Sequence, residues 1–363
     1  MEWLSELCED QLTMTTQKLH TDRINRLMDR TISEDVLGAV IEIALKGRES
    51  YLKASGNLKT DTQYFIASAT KLYVTALILT LVDAGKLKMD DKIHRLLPAP
   101  FTKELHIYQG KDYSSELSVE HLMAHTSGLP DYFQALRYGR ESLMEQILRG
   151  SDQSWYIETV VADSKSCGAL FPPTSGKAHY SDTNYQLLGR IIEETLGCTF
   201  ADAVQRHICA PLGLEKTYVY QDENDQAPAT LTYQGWNLHV PKAMASFGPD
   251  GGIVSTAFEG MVFLKAFFEG HLFKQSHIDI LTKEWRKIFF PLRYGIGLSL
   301  FRVPWFFSPF KRFPDLIGHS GLSGAFAFYC PAKDLYMVGT TNQLSKPQAS
   351  FQLMIKMLNA HDS

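Results

Sequence analysis

The sequence predicts an α/β protein of the α+β kind: a mainly antiparallel sheet flanked by helices, built from both chain termini and carrying an all-α insertion. Three observations lead there. Runs rich in β-branched and aliphatic residues, bounded by turn residues, gather near the two ends, over 36–56 and 294–341. Between them the apolar pattern takes helical spacing. The composition is that of an ordinary globular chain, with 363 residues, 45% hydrophobic and 21% charged, enough for one large domain or two smaller ones. The expected division joins 1–65 and 285–363 in an α/β domain and leaves 66–284 as a mainly helical region. The chain shows no internal repeat and no low-complexity tract.

In chain order, residues 1–30 are polar with apolar positions at Leu19, Ile24, Leu27 and Met28, the pattern of an N-terminal helix. Val36 to Leu45, the turn Lys46-Gly47-Arg48 and Tyr51 to Gly56 read as a hairpin. From Leu72 to Val82 the chain is apolar on nearly every side, which predicts a buried helix with Gly85 as its C-terminal stop. Leu117 to His125 reads as a helix capped by Ser118, and Asn184 to Gly197 as an amphipathic helix ended by its glycine. Gly248-Pro-Asp-Gly-Gly252 is a tight turn, and Thr256 caps a helix through Phe268. Strands are expected at Tyr294 to Val303, Gly324 to Tyr329 and Leu335 to Thr341. Pro347 opens a closing helix over Gln348 to Leu358.

Several classes are argued against. A net charge of −4 predicts no nucleic-acid partner. Five scattered cysteines (8, 167, 198, 209 and 330) form no CxxC, which favours a reducing compartment over a disulfide framework or zinc site. The N-terminus is acidic without an apolar core of signal-peptide length, and no stretch reaches the ~18 apolar residues of a membrane helix. A cytoplasmic protein without membrane insertion is expected. His121 and His125 stand at i, i+4 but lack the glutamate of HExxH, so no metal is assigned. GxSxG, GxGxxG and P-loop motifs are missing, and no cofactor is implied. The aromatic-rich stretch from Trp285 to Phe313 reads as an apolar wall of a cleft or a subunit contact, which leaves a homo-oligomer open.

The chemistry starts at Ser68-Ala-Thr-Lys71. On a helix, positions i and i+3 share a face, so the Ser68 hydroxyl and Lys71 amine should lie side by side. Burial would depress the lysine pKa and let it act as a base. A second copy, Ser308-Pro-Phe-Lys311, sits among prolines and aromatics with no helical run behind it and is set aside as a decoy.

Ordered partners follow: Tyr180-Ser-Asp182, then His319-Ser-Gly321, with the phrases His121-Leu-Met-Ala-His-Thr-Ser-Gly128 and Gly251-Gly-Ile-Val-Ser-Thr256. With these motifs in this order, residues 20–355 resemble the serine β-lactamase and penicillin-binding superfamily, in the class C-like branch that contains esterases and D-amino-acid peptidases. The resemblance implies a β-lactamase/transpeptidase-like fold. It makes Ser68 the acylated nucleophile, Lys71 the acceptor or relay of its proton, and Tyr180 the group that shares that proton, as base in acylation once Lys71 lowers its pKa and as acid toward the leaving group. It also implies an oxyanion hole from the backbone N–H groups of Ser68 and Leu322, with Asp182, His319, Ser320 and Gly321 toward substrate. Asp182 replaces the usual Asn, and an ionised Asp would hold Lys71 as ammonium. His319 replaces Lys; a largely neutral imidazole suits neutral acyl esters or amides better than a β-lactam carboxylate, although some D-peptidases of the family share it. The expected function is a serine hydrolase forming an acyl-Ser68 intermediate, most simply a carboxylesterase on small apolar esters. A D-amino-acid amidase or weak β-lactamase is the enzyme alternative, and an inactive scaffold or acyl-ligand sensor the rival of another class.

Overall fold

The computed structural model describes residues 19–135, 141–303 and 313–361. Its centre is an antiparallel sheet drawn from both ends of the chain. The front contributes β1 (Gly38–Leu45) and β2 (Ser50–Gly56). The rear contributes β3 (Arg286–Phe289), β4 (Leu292–Tyr294), β5 (Ser299–Phe301), β6 (Leu316–Ser320), β7 (Ala325–Cys330) and β8 (Leu335–Thr340). Their order is β3-β4-β5-β6-β7-β8-β1-β2, so β1 closes the circuit by pairing with β8 as well as with β2.

Strand periodicity explains why helices cover both faces. In β1, Val40 and Ala44 point to one core while Ala39, Ile41, Ile43 and Leu45 point to another. The outer core is closed by helix α1 (Thr21–Asp29) through Ile24 and Met28, and by the last helix, Gln348–His361, through Leu353, Met354, Met357 and Leu358. The inner core receives helix α2 (Thr70–Asp83), buried along almost its whole length, as its apolar run predicts. Gly85 follows it with φ +68, the left-handed stop that a glycine supplies without strain.

Helix α3 (Val119–Met123) begins on a capping box between Ser118 and His121, so His121 is occupied as a cap. Further helices are α4 (Leu143–Leu148), α5 (Asp182–Leu196), α6 (Pro241–Phe247) and α7 (Ala257–Phe268), the last capped by Thr256 as expected.

Four expectations need correction. The strand read over Tyr294 to Val303 is two, β4 and β5, joined through Gly297 at φ +71. That glycine touches α2: a Cβ there would stand 2.3 Å from Thr75 Oγ1. Strand β3 was not foreseen because its Arg-Lys-Ile-Phe alternates exposed residues on a sheet edge. Strand β6 was not foreseen either, and His319 lies within it. The insertion is also not all-helical. It carries a three-stranded sheet of Tyr64–Phe65, Ile253–Ser255 and Tyr218–Val219, and two short hairpins. Among the described residues no helix is long and apolar enough to cross a membrane. Cys8 and the decoy Ser308 and Lys311 lie outside the described residues.

Candidate active site

Ser68 sits in a 3-10 turn, Ala67–Ala69, that leads directly into α2. Ala67 has φ +46, a left-handed conformation that is unusual for a residue with a side chain. Such strain survives only where surroundings hold it, and here Ile66 N–H donates to the Ile253 carbonyl at 3.0 Å while Ile253 N–H donates to Thr70 Oγ1 at 3.2 Å. The short strand Ile253–Ser255 therefore clamps the turn that presents the serine.

Lys71, one turn on, is fully buried, and three oxygens stand around its ammonium. These are Ser68 Oγ at 3.0 Å, the Asp250 carbonyl at 2.6 Å and Asp182 Oδ1 at 2.7 Å. The ammonium also lies 5.2 Å from the ring centres of Tyr180 and Tyr185. Burial by itself would depress this amine, but the Asp182 carboxylate, supported by Tyr180 and Asp250, outweighs it and holds the ammonium above the ordinary lysine value. The expectation of a burial-depressed lysine is reversed, and the reason is the Asp at 182.

Tyr180 stands at the entrance to α5. Burial raises its phenol; Lys71 pulls it down, Asp182 pushes it back up, and hydrogen bonds with Ser68 and Lys71 favour the ionised form. The balance is upward, so the resting group is a phenol. The role of base in acylation, which required Lys71 to lower this group, does not describe the resting site. Behind its ring His125 packs at 4.4 Å. His125 Nδ1 accepts the Ser181 N–H at 3.1 Å, and burial, then Lys71, keep the imidazole well below its usual value and neutral.

His319 is buried on β6. Its Nδ1 donates to the Ser320 carbonyl at 2.8 Å, so Nε2 accepts from the Tyr294 hydroxyl at 3.1 Å. Tyr294 in turn meets Tyr185 Oη at 3.0 Å. Burial and the nearby Lys71 push His319 down to about 3, so it brings no cation to the site.

The end of β6 is pressed onto the nucleophile turn. A Cβ on Gly321 would stand 2.4 Å from the Ile66 carbonyl and 2.9 Å from Ala67 Cβ, and Ser323 Oγ donates to the Phe65 carbonyl at 2.7 Å. Only a glycine permits this approach, which brings Gly321 onto the turn that carries Ser68. Ser320 and Gly321 are half-buried beside it and Leu322 is exposed.

These groups line a cavity of about 320 Å³. Ser68, Tyr180, Asp182, His319, Ser320, Gly321 and Leu322 all reach it. The rest is largely apolar: Met144, Ile147 and Leu148 from α4, Val240, Met244 and Phe247 at α6, and Ile288, Phe289 and Leu292 from β3 and β4. Of the aromatic-rich stretch, Phe289 and Tyr294 do line this cleft, while Trp285, Phe301 and Phe313 pack on the cores. Trp305, Phe306, Phe307 and Phe310 lie outside the described residues.

The family model described as Beta-lactamase matches residues 21–358. This chain belongs to the beta-lactamase family. As a beta-lactamase family chain it falls in a superfamily of serine hydrolases whose members include amidases, esterases and penicillin-binding proteins. It is 32% identical over 163 residues to Penicillin-binding protein 4* of Bacillus subtilis (strain 168), a match over 45% of this chain that spans about a third (32%) of that relative. The D-amino acid amidase from Ochrobactrum anthropi SV3 superposes with a TM-score of 0.78 at 23% identity, over 94% of this chain and 98% of that one. EstCE1, described as a hydrolase with promiscuous acyltransferase activity, superposes at 0.72 with 19% identity, again over 94% and 98%.

Two carboxylates in this beta-lactamase family site escaped the sequence reading. Asp250, seen only as part of a glycine-rich turn, gives its carbonyl to Lys71 and buries its side chain against Tyr132 Oη at 2.8 Å and Gln186 Nε2 at 3.0 Å. Asp131, just after Pro130, accepts the N–H groups of Asp182 at 3.1 Å and Phe133 at 3.2 Å. Burial, then Asp182, push Asp131 up to about 8, and burial pushes Asp250 well above the usual carboxylate range. Turn chemistry explains an Asp in either place, which is why neither drew notice.

Proposed function

We propose that this chain is a serine hydrolase in which Ser68 is acylated, acting on carboxylic esters with an apolar acyl group. The observation that carries the reading is the juxtaposition of Ser68, Lys71 and Tyr180 at one end of a largely apolar cavity. The neutral His319 supports an uncharged acyl group over a carboxylate-bearing β-lactam.

The proton path follows from the charges. Lys71 is resting ammonium, so it must surrender a proton before it can take one, and Asp182 Oδ1 is in reach at 2.7 Å. The proton moves to Asp182 as Lys71 accepts the Ser68 hydroxyl proton and Ser68 Oγ attacks the carbonyl carbon. The N–H groups of Ser68 and Leu322 receive the developing oxyanion. Tyr180, a phenol, gives its proton to the leaving oxygen as the carbonyl–oxygen bond breaks. Lys71 then reprotonates Tyr180 and recovers its own proton from Asp182. Water follows the same route in reverse roles to release the acid.

The test is intact mass after a fluorophosphonate probe, together with short-chain nitrophenyl ester turnover by the wild type and Ser68→Ala. One adduct on the Ser68 peptide and a rate lost in Ser68→Ala are expected. Labelling on another peptide, or equal near-zero rates, would favour the inactive scaffold. A parallel panel of D-amino-acid amides and a chromogenic cephalosporin separates the enzyme alternatives.

A further inference from the structure

A second concavity of about 590 Å³ opens next to the acyl cavity, and it has the opposite character. It is lined by Lys177, His179, Arg286 and Lys287 together with a few apolar and small residues, and no acidic side chain lines it. That is notable in a chain whose net charge is −4. Among the described residues Lys177 and Lys287 have no carboxylate partner, whereas Arg286 is paired with Glu284.

A separate observation lies in the sheet register. Lys287 on β3 stands directly opposite Arg293 on β4, and Arg293 also has no carboxylate partner among the described residues. Like charges directly opposite one another across a ladder repel, and Lys287, which lines the concavity, has a cation and no carboxylate as its cross-strand neighbour.

The two concavities share two walls. The segment Lys177–His179 faces the basic one, and the next residue, Tyr180, faces the acyl cavity. On β3, Arg286 and Lys287 face the basic one, while Ile288 and Phe289 face the acyl cavity. Two residues along a strand span about 7 Å, so a substrate of modest size can bridge the two. Tyr180 stands between them. In the proposed reaction it protonates the leaving oxygen, so the leaving group departs toward the basic side.

We propose that this basic concavity is a leaving-group subsite for an anion, so that the preferred substrates join an apolar acyl group to an alcohol or amine bearing a carboxylate or phosphate. The acyl-cavity assignment rests on the function proposed above; the anion site itself does not. The decisive measurement is therefore equilibrium binding to the full-length Ser68→Ala protein, by calorimetry, of 4-hydroxybenzoate, 4-hydroxyphenyl phosphate and the neutral 4-hydroxybenzamide. Both anions should bind about tenfold tighter than the amide at low salt, with the advantage shrinking as salt rises. The tighter of the two names the anion. In Lys177→Gln/Lys287→Gln the ratio should fall toward one. Equal binding of anions and amide, or a preference that survives the double substitution, overturns the proposal whatever the esterase assay gives. Acyl esters of the same phenols, assayed on the wild type, then report the preference in kcat/KM. The amide is the better leaving group, so intrinsic reactivity runs against the expected order.

Discussion

Lys71 and Asp182 hold each other at 2.7 Å in a site where the lysine has no contact with solvent. In the proposed reaction that pair stores the proton the chemistry needs but also keeps the lysine from being a ready base. Asp182→Asn removes the carboxylate and lets Lys71 fall toward neutrality. It should keep or raise kcat/KM on a short-chain ester, and the rise of rate with pH should move to lower pH, because less alkali is needed to free the amine. A collapse of rate in a fully folded Asn variant would contradict this. Asp182→Ala should cost fold stability more than chemistry, since it leaves a buried ammonium with one acceptor fewer. Asp131 gives a second residue-scale expectation. Its folded-state value of about 8 lies above the ~3.9 of an unfolded carboxyl. Between those values the folded chain binds the extra proton, so this group's contribution to stability falls as pH rises through that window. Asp131→Asn keeps an oxygen for the N–H groups of Asp182 and Phe133 but cannot ionise. Its melting temperature should match the wild type near pH 4 and exceed it by a growing margin up to about pH 8, where the difference levels off; parallel curves would refute the assignment.

At the scale of elements, the site depends on β6 meeting the nucleophile turn and on α4 and α6 walling the cavity. Gly321→Ala places a Cβ 2.4 Å from the Ile66 carbonyl, so the end of β6 must move. In the proposed mechanism that shift misplaces one of the two oxyanion donors, so kcat should fall about a hundredfold, with KM changing less. An unchanged kcat would show that Leu322 N–H is not used. Phe247, at the end of α6, lines the cavity and stacks edge-on with Phe133 and Trp155 at 5.2 and 5.0 Å. Phe247→Ala should lengthen the cavity and shift the kcat/KM ratio toward longer acyl esters, which a chain-length series measures.

At the scale of the molecule, the two chain ends meet in one sheet, and α1 and the closing helix together cover its outer face. Met354 is fully buried there. Met354→Ala should lower unfolding free energy by about 2–5 kcal/mol in urea titrations, while kcat at low temperature stays near the wild-type value, because Met354 does not line the cavity. A loss confined to activity would mean that this face does not carry the fold. Much of this architecture is legible in the sequence because its signals are local. The apolar run of α2, the caps at Ser118 and Thr256, the glycine stops at 85 and 197 and the serine three residues before Lys71 all follow from helical and turn periodicity. What only the tertiary structure decided is long-range. Edge strand β3 carries charge that hides its pairing, and Gly297 earns its place only by touching Thr75. The protonation of Lys71 is set by Asp182 and Asp250, 111 and 179 residues away in sequence. A local pattern can bring Ser68 and Lys71 to one face, but electrostatic energy depends on distance and burial, and those exist only once the chain has folded.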